Sequence, residues 1–95
     1  MMKVKVISFA GFRHVLGKEM QVELTEEARD MTVLDLLEAL CASRPALRPL
    51  LFSGEDLRED VNVFVAGKNI STLRGLQTFL VEGDEVALFP AAIGG

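Results

Sequence analysis

Hydrophobic positions recur with a period of two in several segments of this chain and at helical spacing in one. The first alternating segment is Lys3-Val4-Lys5-Val6-Ile7-Ser8-Phe9. Val4 and Val6 share one face, and Ile7 and Phe9 fall on the other, which predicts a strand covered in part on both sides. Gly11 and Gly17 bracket a short apolar and basic piece, Phe12 to Leu16, that reads as a helical turn or loop. Met20, Val22 and Leu24 then alternate with Gln21 and Glu23, a second strand with one wet face. The closeness of the two strands in sequence predicts a hairpin.

Helical spacing is clearest after Thr32. Val33, Leu36, Leu37, Leu40 and Cys41 form one apolar stripe, with Asp35 and Glu38 off it. Thr32 followed by Asp35 is a start of the capping-box kind. Pro45 bounds the helix, because a residue before proline avoids the α region. Beyond it, Pro45 and Pro49 interrupt any long helix, and Leu47, Leu50, Leu51 and Phe52 are expected to pack a short turn onto the core. Ser53-Gly54-Glu55-Asp56 reads as a turn. Val61, Val63 and Val65 mark a third strand around Asn62 and Phe64. Gly67-Lys68-Asn69 reads as a turn with a left-handed residue at Gly67 or Asn69. Leu73, Leu76 and Phe79 or Leu80 suggest a helical turn, Glu82-Gly83-Asp84 another turn, and Glu85 to Phe89 a last strand. This order predicts an α+β domain with one main helix packed across a mixed sheet, whose first and last strands pair in parallel at its centre.

Length and charge narrow the functional classes. The 95 residues suit one domain. Ten Lys and Arg against fourteen Asp and Glu leave a net charge of −4, so the excess positive charge of a nucleic-acid-binding surface is missing. One cysteine, Cys41, allows no intramolecular disulfide, and with the single histidine, His14, it cannot furnish a structural zinc site. The start of the sequence lacks the apolar stretch of a signal peptide, and no apolar run approaches the ~20 residues that span a bilayer. The expectation is a soluble cytoplasmic protein, monomeric when alone, bound to neither nucleic acid nor membrane.

Catalytic constellations are sparse. His14 has no nucleophile motif around it and reads as a surface residue. Cys41 lies on the apolar stripe and reads as a buried thiol. Glu55, Asp56, Glu59 and Asp60 lack the spacing of a calcium loop and read as a solvated face. No phosphate-binding glycine motif is present, and no bound metal or cofactor is expected. The segment that stands out is Phe89-Pro90-Ala91-Ala92-Ile93-Gly94-Gly95. It carries no charged side chain, and it narrows from large apolar residues through proline to small ones. Pro90 favours extended backbone, and Gly94 and Gly95 can enter a channel too narrow for a side chain. Such a tail can place its terminal carboxylate in another protein's active site. A carboxylate is ionised at neutral pH and is a poor acyl donor, so it must first receive a leaving group, for instance by adenylation with ATP. A sulfur source then yields a thiocarboxylate, and a lysine amine yields an amide. The domain is accordingly divided into residues 1–89 and an extended tail, residues 90–95.

The stretch from Glu82-Gly83-Asp84-Glu85-Val86 through Phe89-Pro90 to Gly94-Gly95 resembles the ending of the MoaD/ThiS family, which includes the molybdopterin synthase small subunit and the small archaeal modifier proteins. Phe9-Ala10-Gly11-Phe12-Arg13 with Gly17, Thr32 to Leu37, and Val61 to Gly67 resemble further segments of that family, so the resemblance covers most of the chain. Ala91 departs from it, standing where a second proline is common. The resemblance implies a ubiquitin-like β-grasp fold and no catalytic residue of the chain's own. It also implies activation of Gly95 by an E1-like adenylating enzyme of the MoeB or UbaA type, which uses ATP. Gly95 then serves as a thiocarboxylate delivered to a MoaE-like molybdopterin synthase large subunit, as a modifier joined to target-protein lysines, or as both. The segments 44–60 and 61–70 look more like the archaeal modifier members than like the short bacterial subunit.

Strict alternation turns Phe64 and Phe89 away from the valines beside them, and they are candidates for an exposed docking patch. Lys3, Lys5, Lys18 and Lys68 are the lysines of the sequence; they read as solvated and could accept a second copy if chains form. Two other classes stay open: a ubiquitin-like interaction domain without covalent chemistry, and a small enzyme using Cys41 or His14.

Overall fold

The computed structural model describes residues 2–25 and 30–90. Strand β1 (Met2–Ser8) is followed by helix α1 (Gly11–Leu16) and strand β2 (Glu19–Leu24). The long helix α2 (Val33–Ser43) leads through a 3₁₀ turn (Pro45–Leu47) into the single-turn helix α3 (Arg48–Leu51). Short strands β3 (Phe52–Ser53) and β4 (Asp56–Leu57) form a small hairpin, and β5 (Val61–Val65) and β6 (Lys68–Asn69) form a second one. Two 3₁₀ turns (Ile70–Thr72 and Gly75–Gln77) precede the last strand, β7 (Glu85–Pro90).

The main sheet has the order β2-β1-β7-β5-β6. β1 runs parallel to β7, with Val6 opposite Val86 and Ser8 opposite Leu88, and antiparallel to β2. β7 also pairs antiparallel with β5. The two strands most distant in sequence therefore lie side by side at the centre, as the order of elements predicted. Met2, Val4 and Val6 of β1, Val61, Val63 and Val65 of β5, and Val86 and Leu88 of β7 are all buried. Against them lie Val33, Leu36, Leu37, Leu40 and Cys41, the whole predicted stripe of α2. Leu47, Leu51 and Phe52 close the core beneath α3.

The start of α2 is fixed chemically. The Asp35 backbone N–H donates to Thr32 Oγ1 at 3.2 Å, and the Thr32 backbone N–H donates to Asp35 Oδ2 at 2.8 Å. Each side chain satisfies a backbone donor that the helix leaves unpaired. At the far end the helix stops at Ser43, ahead of Pro45.

The structure corrects several expectations in the second half of the chain. Leu50 does not join Leu47, Leu51 and Phe52 in the core but stays 39% exposed, because one turn of helix presents only part of its circumference to the sheet. Lys68 and Asn69 form a strand rather than a turn. The two-residue connection between Val65 and Lys68 has positive φ at both central positions, Ala66 (51°) and Gly67 (83°), the pattern of a type I′ hairpin turn. Asn69 is extended instead. The expected helical turn near Leu73 is two 3₁₀ turns, with Leu80 buried and Leu73 and Phe79 exposed. The Arg74 guanidinium lies 5.6 Å from the Phe79 ring centroid and covers part of that face. Finally, Pro90 closes β7 opposite Val61 instead of opening the tail. On the β1 side the Phe9 N–H still reaches the Leu88 carbonyl, and Pro90, which has no N–H, carries the parallel ladder no further.

Three outcomes follow from these features. Thr32→Ala removes the cap and should lower the unfolding free energy by about 1 kcal/mol in a denaturant titration. Ala66→Asn puts the favoured Asn-Gly pair into the hairpin turn and should raise it by a few tenths to about 1 kcal/mol. Burial pushes the Cys41 thiol above its ordinary range, so little thiolate forms at neutral pH. A thiol-reactive dye should label Cys41 at a rate set by unfolding, and rapid labelling of the native protein would contradict this burial.

Candidate functional site

The C-terminal end of β7 is built by the strands around it. Inner residues Val86 and Leu88 anchor the strand in the core, which turns Ala87 and Phe89 to the outer face. Just past β1, the Phe9 N–H donates to the Leu88 carbonyl at 3.1 Å. This bond extends the parallel ladder by one step and brings the Phe9 ring beside Phe89. The two rings stack with centroids 4.2 Å apart and planes 8° from parallel. Phe64 of β5 meets Phe89 edge-on, at 5.3 Å and 76°. Arg13 on α1 completes the arrangement. Its Nε donates to the Ser8 carbonyl at 3.0 Å, and its guanidinium lies 5.5 Å from the Phe9 centroid. Each ring is half-buried by its neighbours, so the cluster is rigid and still presents apolar surface.

Pro90 lines two grooves beside this cluster. An open one of about 370 Å³ runs along Asn62, Phe64, Asn69 and Phe89. Asn69 Nδ2 donates to Asn62 Oδ1 at 3.4 Å along it. The other, of about 140 Å³, lies between Gly11, Phe12, Leu50, Val61 and Pro90, with Arg58 and Asp60 at its rim. Arg58 donates twice to the Asp60 carboxylate, at 2.8 and 2.9 Å, and once to the Pro49 carbonyl at 3.1 Å. These bonds hold the Asp60 carboxyl below its ordinary range, and the pair fastens the 58–60 loop to α3. The exposed position of Leu50, unexplained by the core, is accounted for as a wall of this groove.

Of the residues singled out in the sequence, Phe64 and Phe89 meet at the outer face as expected, and Pro90 stands at the end of the strand. Ala91, Ala92, Ile93, Gly94 and Gly95 lie outside the described residues. His14 is exposed on α1, and Cys41 is buried in the core, on a different element. Glu55, Asp56, Glu59 and Asp60 are exposed, and no group of three or more metal-ligating side chains occurs among the described residues. Phe9 and Arg13 were missed as members of the patch. Their signal was the parallel pairing of the first and last strands, but only the register places Phe9 on Phe89. No helix among the described residues is long and apolar enough to cross a membrane.

Comparison with known proteins agrees with this geometry. The chain is 33% identical over 94 residues to small archaeal modifier protein 3 of Haloferax volcanii, covering 99% of this chain and 100% of that one. It is 32% identical over 76 residues to a protein of Archaeoglobus fulgidus designated a sulfur carrier, covering 79% of this chain and 86% of its relative. The solution structure of small archaeal modifier protein 1 from Methanosarcina acetivorans superposes with a TM-score of 0.81 at 34% identity, covering 100% of this chain and 98% of the other. The fold is thus the ubiquitin-like β-grasp. Residues 6–95 match the model of the ThiS family, and the chain belongs to that family.

Proposed function

We propose that this protein is a ubiquitin-like carrier and modifier whose working group is the carboxylate of Gly95. The observation that carries the reading is the geometry of β7. The strand is held between β1 and β5, its Phe89 sits in the aromatic cluster, and the uncharged sequence Ala91-Ala92-Ile93-Gly94-Gly95 follows Pro90 in the chain. A rigid root followed by small residues suits insertion into a partner's active site. The names of the relatives, modifier and sulfur carrier, support the same assignment.

The chemistry begins with activation. A Gly95 carboxylate oxygen attacks the α-phosphorus of ATP on an E1-like partner of the MoeB or UbaA kind, and pyrophosphate leaves. The acyl adenylate is then open to a nucleophile at its carbonyl carbon. A sulfur donor displaces AMP and leaves a thiocarboxylate, which a MoaE-like large subunit can consume. A lysine amine, directly or after a thiol intermediate, gives an isopeptide bond to a target protein. This chain contributes the acyl group and the docking face, and ATP is bound by the partner.

The Phe9, Phe64 and Phe89 face supports a second reading, a non-covalent interaction domain, because that face does not depend on the tail. One experiment separates the two. An N-terminally tagged copy is expressed in its native cells beside a copy lacking Gly94 and Gly95. Adducts on a denaturing, reducing gel that vanish in the shortened copy are expected for the modifier role. For the carrier role, the intact protein's mass spectrum should show one terminal oxygen replaced by sulfur. Partner capture unchanged by the deletion, with neither covalent product, would overturn the covalent reading.

A further inference from the structure

We infer that the free edge of β2 takes an extended peptide as an added strand, one that alternates apolar and basic residues. The inference goes beyond the carrier and modifier reading, because neither the tail nor the aromatic face takes part in it.

The main sheet ends on β2 at one side and on β6 at the other. β6 has only two residues, whereas β2 has six, Glu19 to Leu24. The pairing of β2 with β1 runs without a bulge from Ile7 opposite Glu19 to Met2 opposite Leu24. The Ser8 N–H donates to the Lys18 carbonyl at 3.0 Å, which fixes the residues of β2 that bond to β1. Hydrogen-bonded pairs alternate along an antiparallel ladder. Met20, Val22 and Leu24 therefore turn their backbone groups to β1, and Glu19, Gln21 and Glu23 turn theirs outward. The outward row repeats about every 7 Å, the spacing at which a neighbouring antiparallel strand offers its own N–H and C=O groups. β2 contains neither lysine nor proline, two residues that commonly blunt an exposed edge.

Two rows of side chains define the occupant. On the helix-bearing side, Met20 and Val22 are half-buried, while Val6 and Val4 opposite them are buried. Apolar surface thus remains open at the edge, and the inward residues of an added strand would cover it. On the outer side the rows are layered by charge. Lys3 and Lys5 of β1 lie inside, and Glu23 and Glu19 of β2 lie at the edge, 4.0 and 3.9 Å from them. The next strand position, about 4.8 Å beyond β2, faces these carboxylates, so lysine or arginine fits it. The same carboxylates oppose a second copy. Antiparallel pairing of two β2 strands about Gln21 would set Glu19 of each against Glu23 of the other. The occupant is accordingly a segment of a partner protein with basic residues on its outer side and apolar ones on its inner side, bound by strand addition.

The test uses the isotope-labelled full chain and two capped synthetic peptides, GSKVKVKVSG and its acidic counterpart GSEVEVEVSG. The basic peptide should shift the amide resonances of Glu19, Gln21 and Glu23 and slow their exchange with deuterated solvent. The exchange of Met20 and Val22, already bonded to β1, should change less. The acidic peptide should leave all five unchanged. Glu19→Lys combined with Glu23→Lys should weaken the basic peptide about tenfold and bring in the acidic one. Exposed ion pairs contribute little to stability, so this double variant should fold. Gln21→Pro removes an edge N–H and no bond to β1, and it should abolish binding while leaving the circular dichroism unchanged. No shift at millimolar basic peptide, equal binding of the two peptides, or shifts centred on Phe9, Phe64 and Phe89 would overturn the inference. Concentration-dependent shifts of β2 without peptide would also overturn it, by making a second copy the occupant. A copy lacking Gly94 and Gly95 should bind the basic peptide as the full chain does, so failure here leaves the Gly95 chemistry standing.

Discussion

The parallel pairing of β1 with β7 is the constraint on which the molecule depends. Two strands from opposite ends of the sequence lie side by side in the main sheet, with β2 pairing on β1, β5 on β7, and β6 on β5. Their inner residues, Val4, Val6, Val86 and Leu88, form the floor on which α2 lies. A one-residue slip in this pair would turn those side chains outward and bring Phe89 into the core. The same register stacks Phe9 on Phe89. Core and outer aromatic face are therefore two sides of one alignment.

Much of the fold was legible because its main elements span full periods. Alternation over β1, β2, β5 and β7 and the stripe of α2 each repeat often enough to fix both element type and buried face. The Thr32 and Asp35 cap was legible for a different reason, since it is a local contact between residues three apart. Elements shorter than one period gave no such signal. β6 has two residues, and its turn depends on Ala66 accepting a positive φ that alanine seldom adopts. Leu50 carries a core residue's hydrophobicity, but the single turn of α3 directs it to a groove wall.

The site was legible in part. Phe64 and Phe89 followed from alternation alone, whereas residues 91–95 of the tail lie outside the described residues. Phe9 and Arg13 became part of the site only through long-range register, which no local pattern encodes. Arg13 links the two levels: its Nε binds the Ser8 carbonyl at the strand end, and its guanidinium covers the ring that supports Phe89. Local backbone geometry is thereby tied to the placement of Phe89 on the outer face.

The burial of Cys41 has a consequence for sulfur chemistry. A terminal thiocarboxylate is a soft nucleophile, and under mild oxidation it pairs readily with an accessible thiol. The chain's single cysteine lies beneath α2, its thiol held largely in the unreactive protonated form. In the carrier role proposed above, a sulfur-loaded copy would meet no reactive thiol of its own fold, neither to close an acyl disulfide nor to take the acyl group as a thioester. On the proposed carrier reading, the chain would be charged in one place and discharged in another without short-circuiting itself.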